Sequence, residues 1–147
     1  MHNTEVNKEK VDIGSFAIIE NRQGEILLVR HGYGEKEFSL PGGGLEKGET
    51  ADLTIIREAQ EETGICDVFF EHIGTFFLPT RAGIVFLFYV KMDDVPCIAK
   101  NVQEIMGFAW VNSGELPIGT SPNQIELIKR WRIGRLGNRG RPPFDLL

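Results

Sequence analysis

Residues 43–65 read GGLEKGETADLTIIREAQEETGI, and this stretch decides the fold. From Thr50 to Thr63 it has neither glycine nor proline, and Gly64 follows. That predicts a helix over 50–63, with Thr50 as N-cap and Gly64 as the C-terminal stop. At about 100° per residue, Ala51, Ile55, Ile56 and Ala59 fall on one apolar stripe. Glu58, Glu61 and Glu62 stand at i, i+3 and i+4, so their side chains face one another, and each like-charged pair costs roughly 0.2–0.5 kcal/mol. The nearest cation, Arg57, cannot neutralise all three. Taken alone, three glutamates are most simply a solvated helix face. As a cluster of hard oxygen donors on a rigid scaffold, beside an apolar stripe, they suit Mg²⁺ or Mn²⁺.

Just upstream runs Pro41-Gly42-Gly43-Gly44. Alone this is a turn. Beside the acidic helix it lets backbone carbonyls and amides approach a ligand closely. A carbonyl such as that of Gly42 could complete a metal shell, and an amide could meet a phosphate. Glu49 and Arg57 carry opposite charge and are placed to brace the loop against the helix.

The joint pattern matches G-x5-E-x7-R-E-U-x-E-E-x-G-U, U being apolar, through Gly43, Glu49, Arg57, Glu58, Ala59, Glu61, Glu62, Gly64 and Ile65. On these residues the chain resembles the Nudix hydrolases, from about residue 11 to about residue 131. Two positions depart from the usual pattern: Phe38, where many relatives carry Trp, and Ala59, smaller than the usual Leu or Val. The resemblance implies a three-layer α/β/α sandwich on a mixed sheet. It also implies Mg²⁺-dependent hydrolysis of the pyrophosphate linkage of a nucleoside diphosphate joined to another group. Nucleoside triphosphates, ADP-ribose, nucleotide sugars and dinucleoside polyphosphates all remain open as substrates. Glu58, Glu61 and Glu62 would be catalytic and hold the metal with Gly42, while Gly43, Glu49, Arg57 and Gly64 shape the box. The general base would be Glu58 or Glu104. The resemblance leaves a homodimer open.

The bulk properties agree. The chain has 147 residues, 41% hydrophobic and 25% charged, the composition of one globular domain. Its longest apolar run, Ile84 to Val90, is far short of the ~20 residues a spanning helix needs. The first ten residues are polar, unlike a secretory signal. Cys66 and Cys97 form no CxxC pair, so a disulfide framework is not expected and a reducing cytoplasm fits. Cys66 reads as packing. The net charge is −5, but Lys129, Arg130, Arg132, Arg135, Arg139 and Arg141 face only Asp145 after residue 128. That segment carries +5 and leaves −10 on the body. An acidic body repels polyanions, so a phosphate substrate needs cations to invert the local sign.

Elsewhere, 11–20 and 25–30 read as strands around an Asn21–Gly24 turn, with short strand character at 38–40. Further strands are expected at 67–78, 82–91 and 105–111. Ser121-Pro122-Asn123-Gln124 opens a second helix to about 135, its apolar face Ile125, Ile128 and Trp131. The domain is expected over 11–136, after a loose lead-in at 1–10 and before a basic, mobile tail at 137–147. Arg30 and Arg81 are candidates to touch a substrate phosphate, and Phe38, Phe76 and Phe77 to stack on a base. His31 is a candidate acid or ligand. Two other functions remain open: a non-catalytic nucleotide-sensing module, and an RNA 5′-end pyrophosphohydrolase that uses the basic tail. Intact box glutamates argue against the sensor. The lack of aromatics among the tail arginines beyond Trp131 argues against nucleic acid as partner.

Overall fold

Along Asp12–Glu20 every side chain from Ala17 onward is buried, because both faces of this strand are covered. Ala17 and Ile19 pack with Ile55, Ala59 and Ile65. Ile18, one step along, packs with Leu40, Ile128 and Trp131. The alternation of a strand thus sends successive residues to two helices on opposite sides of the sheet, and the expected three layers follow. The computed structural model describes residues 12–32, 37–78 and 83–137. The elements are β1 (Asp12–Glu20), β2 (Glu25–His31), β3 (Phe38–Ser39), β4 (Gly42–Gly44), α1 (Ala51–Thr63), β5 (Glu71–Leu78), β6 (Gly83–Lys91), β7 (Ile105–Asn112) and α2 (Pro122–Gly137). Among the described residues no helix is long and apolar enough to cross a membrane.

The sheet is mixed, in the order β3-β2-β1-β6-β5, with β4 added to β1 and β7 to β2. β1 and β6 run parallel from Asp12↔Gly83 to Glu20↔Lys91. The expected β1–β2 hairpin pairs only at its closed end, Glu20↔Ile26. Beyond that point the two strands diverge like a fork. β3 lines the inner edge of β2 through Val29↔Ser39 and Arg30↔Phe38. β4 lines the inner edge of β1 through Gly14↔Gly44, Ser15↔Gly43 and Phe16↔Gly42. Pro41 crosses between them, its carbonyl accepting from the Ala17 N–H at 3.0 Å. The glycine run, which taken alone reads as a turn, is therefore a strand, held extended by β1.

Several local expectations shift. Ile56 is 47% exposed, because α1 is rolled so that Thr54, Glu62 and Thr63 complete its buried face. Ile125 is 42% exposed, and Leu127 takes its place inside. There Gln124 is drawn inward to accept the Leu40 N–H at 3.1 Å. Thr50 sits at the N-cap of α1 but makes no side-chain capping bond, since its hydroxyl is turned to Asp52. The strand expected from 67 begins at Glu71, after Asp67 in the left-handed region at φ 59°. Cys66 is exposed rather than packed. The lead-in and the tail beyond Gly137 lie outside the described residues.

Candidate active site

The fork places the glycine strand beside α1. Gly42 donates its N–H to Glu62 Oε1 at 3.0 Å. A Cβ on Gly43 would stand 2.5 Å from Glu58 Oε2, and one on Gly42 would stand 2.2 Å from the Ser15 carbonyl oxygen. Gly42 also has φ +152°. Only glycine at 42 lets this backbone lie flat against β1, while a side chain at 43 would displace the Glu58 carboxylate.

Arg57 ties the loop to the helix. Its Nε and Nη2 donate to the two oxygens of Glu49 at 2.6 and 3.0 Å, and Nη2 also reaches the Gly44 carbonyl at 3.2 Å. Its Nη1 donates to Glu58 Oε1 at 2.6 Å and to Glu61 Oε1 at 3.3 Å. The bidentate guanidinium pulls the Glu49 carboxyl down to about 2, helped by the Glu46 N–H. The surrounding carboxylates raise Arg57 in turn, its hydrogen bond to Glu49 above all.

Glu62 is only 4% exposed and lies beyond Arg57's reach. Burial and then the charge of Glu58 push its carboxyl well above the ordinary range, and Glu104 adds to this. Burial also raises Glu58, which is hydrogen-bonded to Glu62. A proton shared between Glu62 and the adjacent Glu58 is the expected outcome in the protein alone.

Among the described residues no three His, Cys, Asp or Glu side chains surround one point as an ion would need, with Glu58 and Glu61 held on Arg57. The donor chemistry nevertheless fits a hard divalent cation. Glu58 and Glu62 are adjacent and largely enclosed, Glu61 lies beside them, and one guanidinium, Arg57, serves Glu58 and Glu61 but not Glu62.

Glu61 and Glu62 open onto a cleft of about 560 Å³ that Lys100, Asn101, Gln103 and Glu104 also line. The structure thus brings Glu104 to the box. A second cleft, about 520 Å³, lies across Gly43 and Gly44 and is walled by Gly14, Phe16 and Val85. The other candidates stay apart from the acidic cleft. Arg30 lies over the Phe38 ring at 5.5 Å, on the sheet face that carries α2. Phe76 packs inward under Arg130 at 5.7 Å. Phe77 is half exposed. His31 shares a 2.8 Å hydrogen bond through Nε2 with Ser39 Oγ, and burial lowers it. Arg81 lies outside the described residues. The basic segment is partly engaged, with Arg130 on Glu126 at 2.9 Å and Arg135 on Glu20 at 2.5 Å.

Sequence reasoning missed Lys100, Asn101 and Gly32, and nothing local in the sequence singles out Gly32. Asn101, three residues before Glu104, carried a faint signal of a side-chain turn.

A model of the NUDIX domain matches residues 11–131. A protein of Bacillus subtilis strain 168, provisionally named 8-oxo-dGTP diphosphatase, is 32% identical over 124 residues, covering 82% of this chain and 80% of that one. An RNA pyrophosphohydrolase of Edwardsiella ictaluri is 44% identical over 48 residues, 33% of this chain and 27% of that one. The crystal structure of a MutT protein from Methanosarcina mazei Go1 superposes with a TM-score of 0.63 at 26% identity, covering 86% of this chain and 97% of the other.

Proposed function

The chain belongs to the Nudix family, hydrolases of pyrophosphate bonds, and we propose that it is a magnesium-dependent hydrolase of a small nucleoside diphosphate derivative. The observation that carries this reading is the buried Glu62 and the largely enclosed Glu58 against the Gly42–Gly43 backbone, between two clefts. Glu58, Glu62, the flanking Glu61 and the Gly42 carbonyl would hold a Mg²⁺ or Mn²⁺, which supplies charge neutralisation of the diphosphate and acidifies a water.

The chain's own groups do the rest. The cleft walled by Phe16 and Val85 has apolar surface for a nucleoside, and its floor is the glycine strand. That strand leads the diphosphate toward the carboxylates in the second cleft. Arg57 keeps the loop and helix rigid, so that Glu58 and Glu61 hold their places. Glu104, on the far wall of the acidic cleft, accepts the proton of the attacking water. Glu58 is less suited to that role, being held by Arg57 and Glu62. Attack is in line at phosphorus with no covalent enzyme intermediate. Among the described residues the exposed Cys66 meets only the Gly64 carbonyl, at 3.5 Å, and no base among them activates it.

A nucleotide-sized substrate is favoured over RNA because Arg130 and Arg135 are paired with carboxylates of the chain itself, Glu126 on the helix surface and the buried Glu20. The test is a panel of dGTP, 8-oxo-dGTP, ADP-ribose and diadenosine tetraphosphate with Mg²⁺, read by phosphate release with and without a coupling phosphatase. Turnover of at least one member that EDTA abolishes is expected. Failure on all four would move the chain to the sensing reading, and turnover that survives chelation would remove the metal from it.

A further inference from the structure

We infer that Gly32 and Asn101 are positioning residues that set the Glu104 carboxylate against the Glu61–Glu62 end of α1. The inference rests on the reading above, in which Glu104 takes the proton of the attacking water. Glu104 is exposed, and no described hydrogen bond holds its side chain. Its position is set by the main chain, which is tied on two sides. On the α1 side, the Ile98 N–H donates to the Thr63 carbonyl at 3.2 Å and the Lys100 N–H to the Glu61 carbonyl at 2.7 Å. These bonds satisfy carbonyls that the last turn of a helix leaves open, and they deliver residue 101 beside the acidic cluster.

Asn101 then closes a turn. Its Oδ1 accepts the N–H groups of Gln103 at 3.0 Å and Glu104 at 3.3 Å. Its carbonyl accepts those of Glu104 and Ile105, both at 3.1 Å. On the sheet side the Gly32 N–H donates to the Glu104 carbonyl at 2.8 Å. A Cβ at residue 32 would stand 2.2 Å from the Gln103 carbonyl oxygen, so any other residue there must push the turn away from β2. Between these contacts β7 carries a bulge. Arg30 pairs with Gly107, but His31 pairs with Ile105, and such an insertion re-aims the residues at a strand end. Asn101 and Gln103 are exposed, so this turn adds little to the core. What it accomplishes is to fix Glu104.

The test is a double-mutant cycle on the full chain. It uses whichever of the four substrates above the wild type turns over fastest, with amide hydrogen exchange measured on the same variants. Gly32→Ala and Asn101→Ala should each lower kcat by about ten- to a hundredfold with KM within about twofold, the cost of misplacing a catalytic group by about an ångström. In a Glu104→Gln background each should lower kcat by less than about twofold, because the group they place is gone. Asn101→Asp keeps the Oδ1 acceptor and should recover most of the loss. The Glu104 and Ile105 amides should exchange faster in Asn101→Ala than in the wild type.

Losses that multiply in the Glu104→Gln background, or an Asn101→Asp protein as slow as Asn101→Ala, would overturn the inference. So would a Glu104→Gln protein of undiminished activity. If Gly32→Ala does not fold, the Asn101 pair decides alone. A wild type inert on all four substrates would sink the functional reading instead. In that case unchanged exchange at Glu104 in Asn101→Ala would overturn the placement separately.

Discussion

The Gly42 amide and the Glu62 carboxylate meet at 3.0 Å inside the fold, where Glu62 is almost fully buried and receives nothing from Arg57. This contact joins the glycine strand to the acidic helix. It also explains why a residue with the composition of a solvated helix face lies on the inner side of α1. The roll that buries Glu62 is the roll that exposes Ile56. Burying an acid beside another acid costs stability in the protein alone, and the divalent cation of the proposed function would offset that cost.

Glu62→Gln should therefore separate function from stability. The amide keeps an oxygen for the Gly42 N–H and removes the charge. Turnover should fall by about two orders of magnitude or more, the scale for losing an electrostatic catalytic group. The melting temperature without metal should stay level or rise. Turnover near that of the wild type would exclude Glu62 from the metal site.

Gly43→Ala tests the close approach rather than the charge. Its Cβ would press on Glu58 Oε2 at 2.5 Å, so Glu58 must move although no ionisable group has changed. A loss in kcat of about a hundredfold is expected. Far-ultraviolet circular dichroism should stay native, and Mg²⁺ binding by titration calorimetry should weaken. Wild-type kinetics would mean that Glu58 tolerates displacement.

Metal should also appear in stability. Mg²⁺ at about 100 times its dissociation constant stabilises the folded state by about 2.7 kcal/mol, which for a chain of this size is a rise in Tm of roughly 5–10 °C. EDTA should reverse it, and Glu62→Gln should show much less of it. A Tm indifferent to Mg²⁺ in the wild type would argue against the site.

The helix of the box was legible to within a residue, because an uninterrupted apolar period ends at a glycine that takes φ 81° at the C-cap. Its partner strand was not. Gly42–Gly44 has no side-chain pattern to read, and its extended shape comes from pairing with Gly14–Phe16, a contact made far away in sequence. The same holds for Gly32, whose constraint is the Gln103 carbonyl, and for Ile125, displaced from the core by the hydrogen bond that draws Gln124 inward. Arg57 and Glu49 were legible as a pair because the box spacing implies it. The neighbourhood of Glu104 came from family likeness, since nothing local in the chain says that residue 104 meets residue 62.

The far end of β1 gives a pH prediction remote from the box. Glu20 is 3% exposed and accepts from Tyr89 Oη at 2.6 Å and Arg135 Nη1 at 2.5 Å, with Arg135 stacked on Trp131 at 5.1 Å. Burial alone would raise the Glu20 carboxyl, but the hydrogen bonds from Arg135 and Tyr89 outweigh it and the net shift is downward. A depressed folded-state value means that this stabilisation is present above the ordinary carboxylate range and is lost as the pH falls through the folded value. Arg135→Ala removes the largest opposing contribution, so the downward shift of Glu20 should shrink and with it the stability that is lost as the pH falls through the carboxylate range. Because Arg135 is half exposed, the loss at pH 7 should be about 1–2 kcal/mol, below the 3–5 kcal/mol of a fully buried pair. Urea unfolding of both proteins between pH 4 and 7 measures this. The stability difference should shrink steadily toward acid, and a constant difference would show that Arg135 acts through its stacking on Trp131 and not through Glu20.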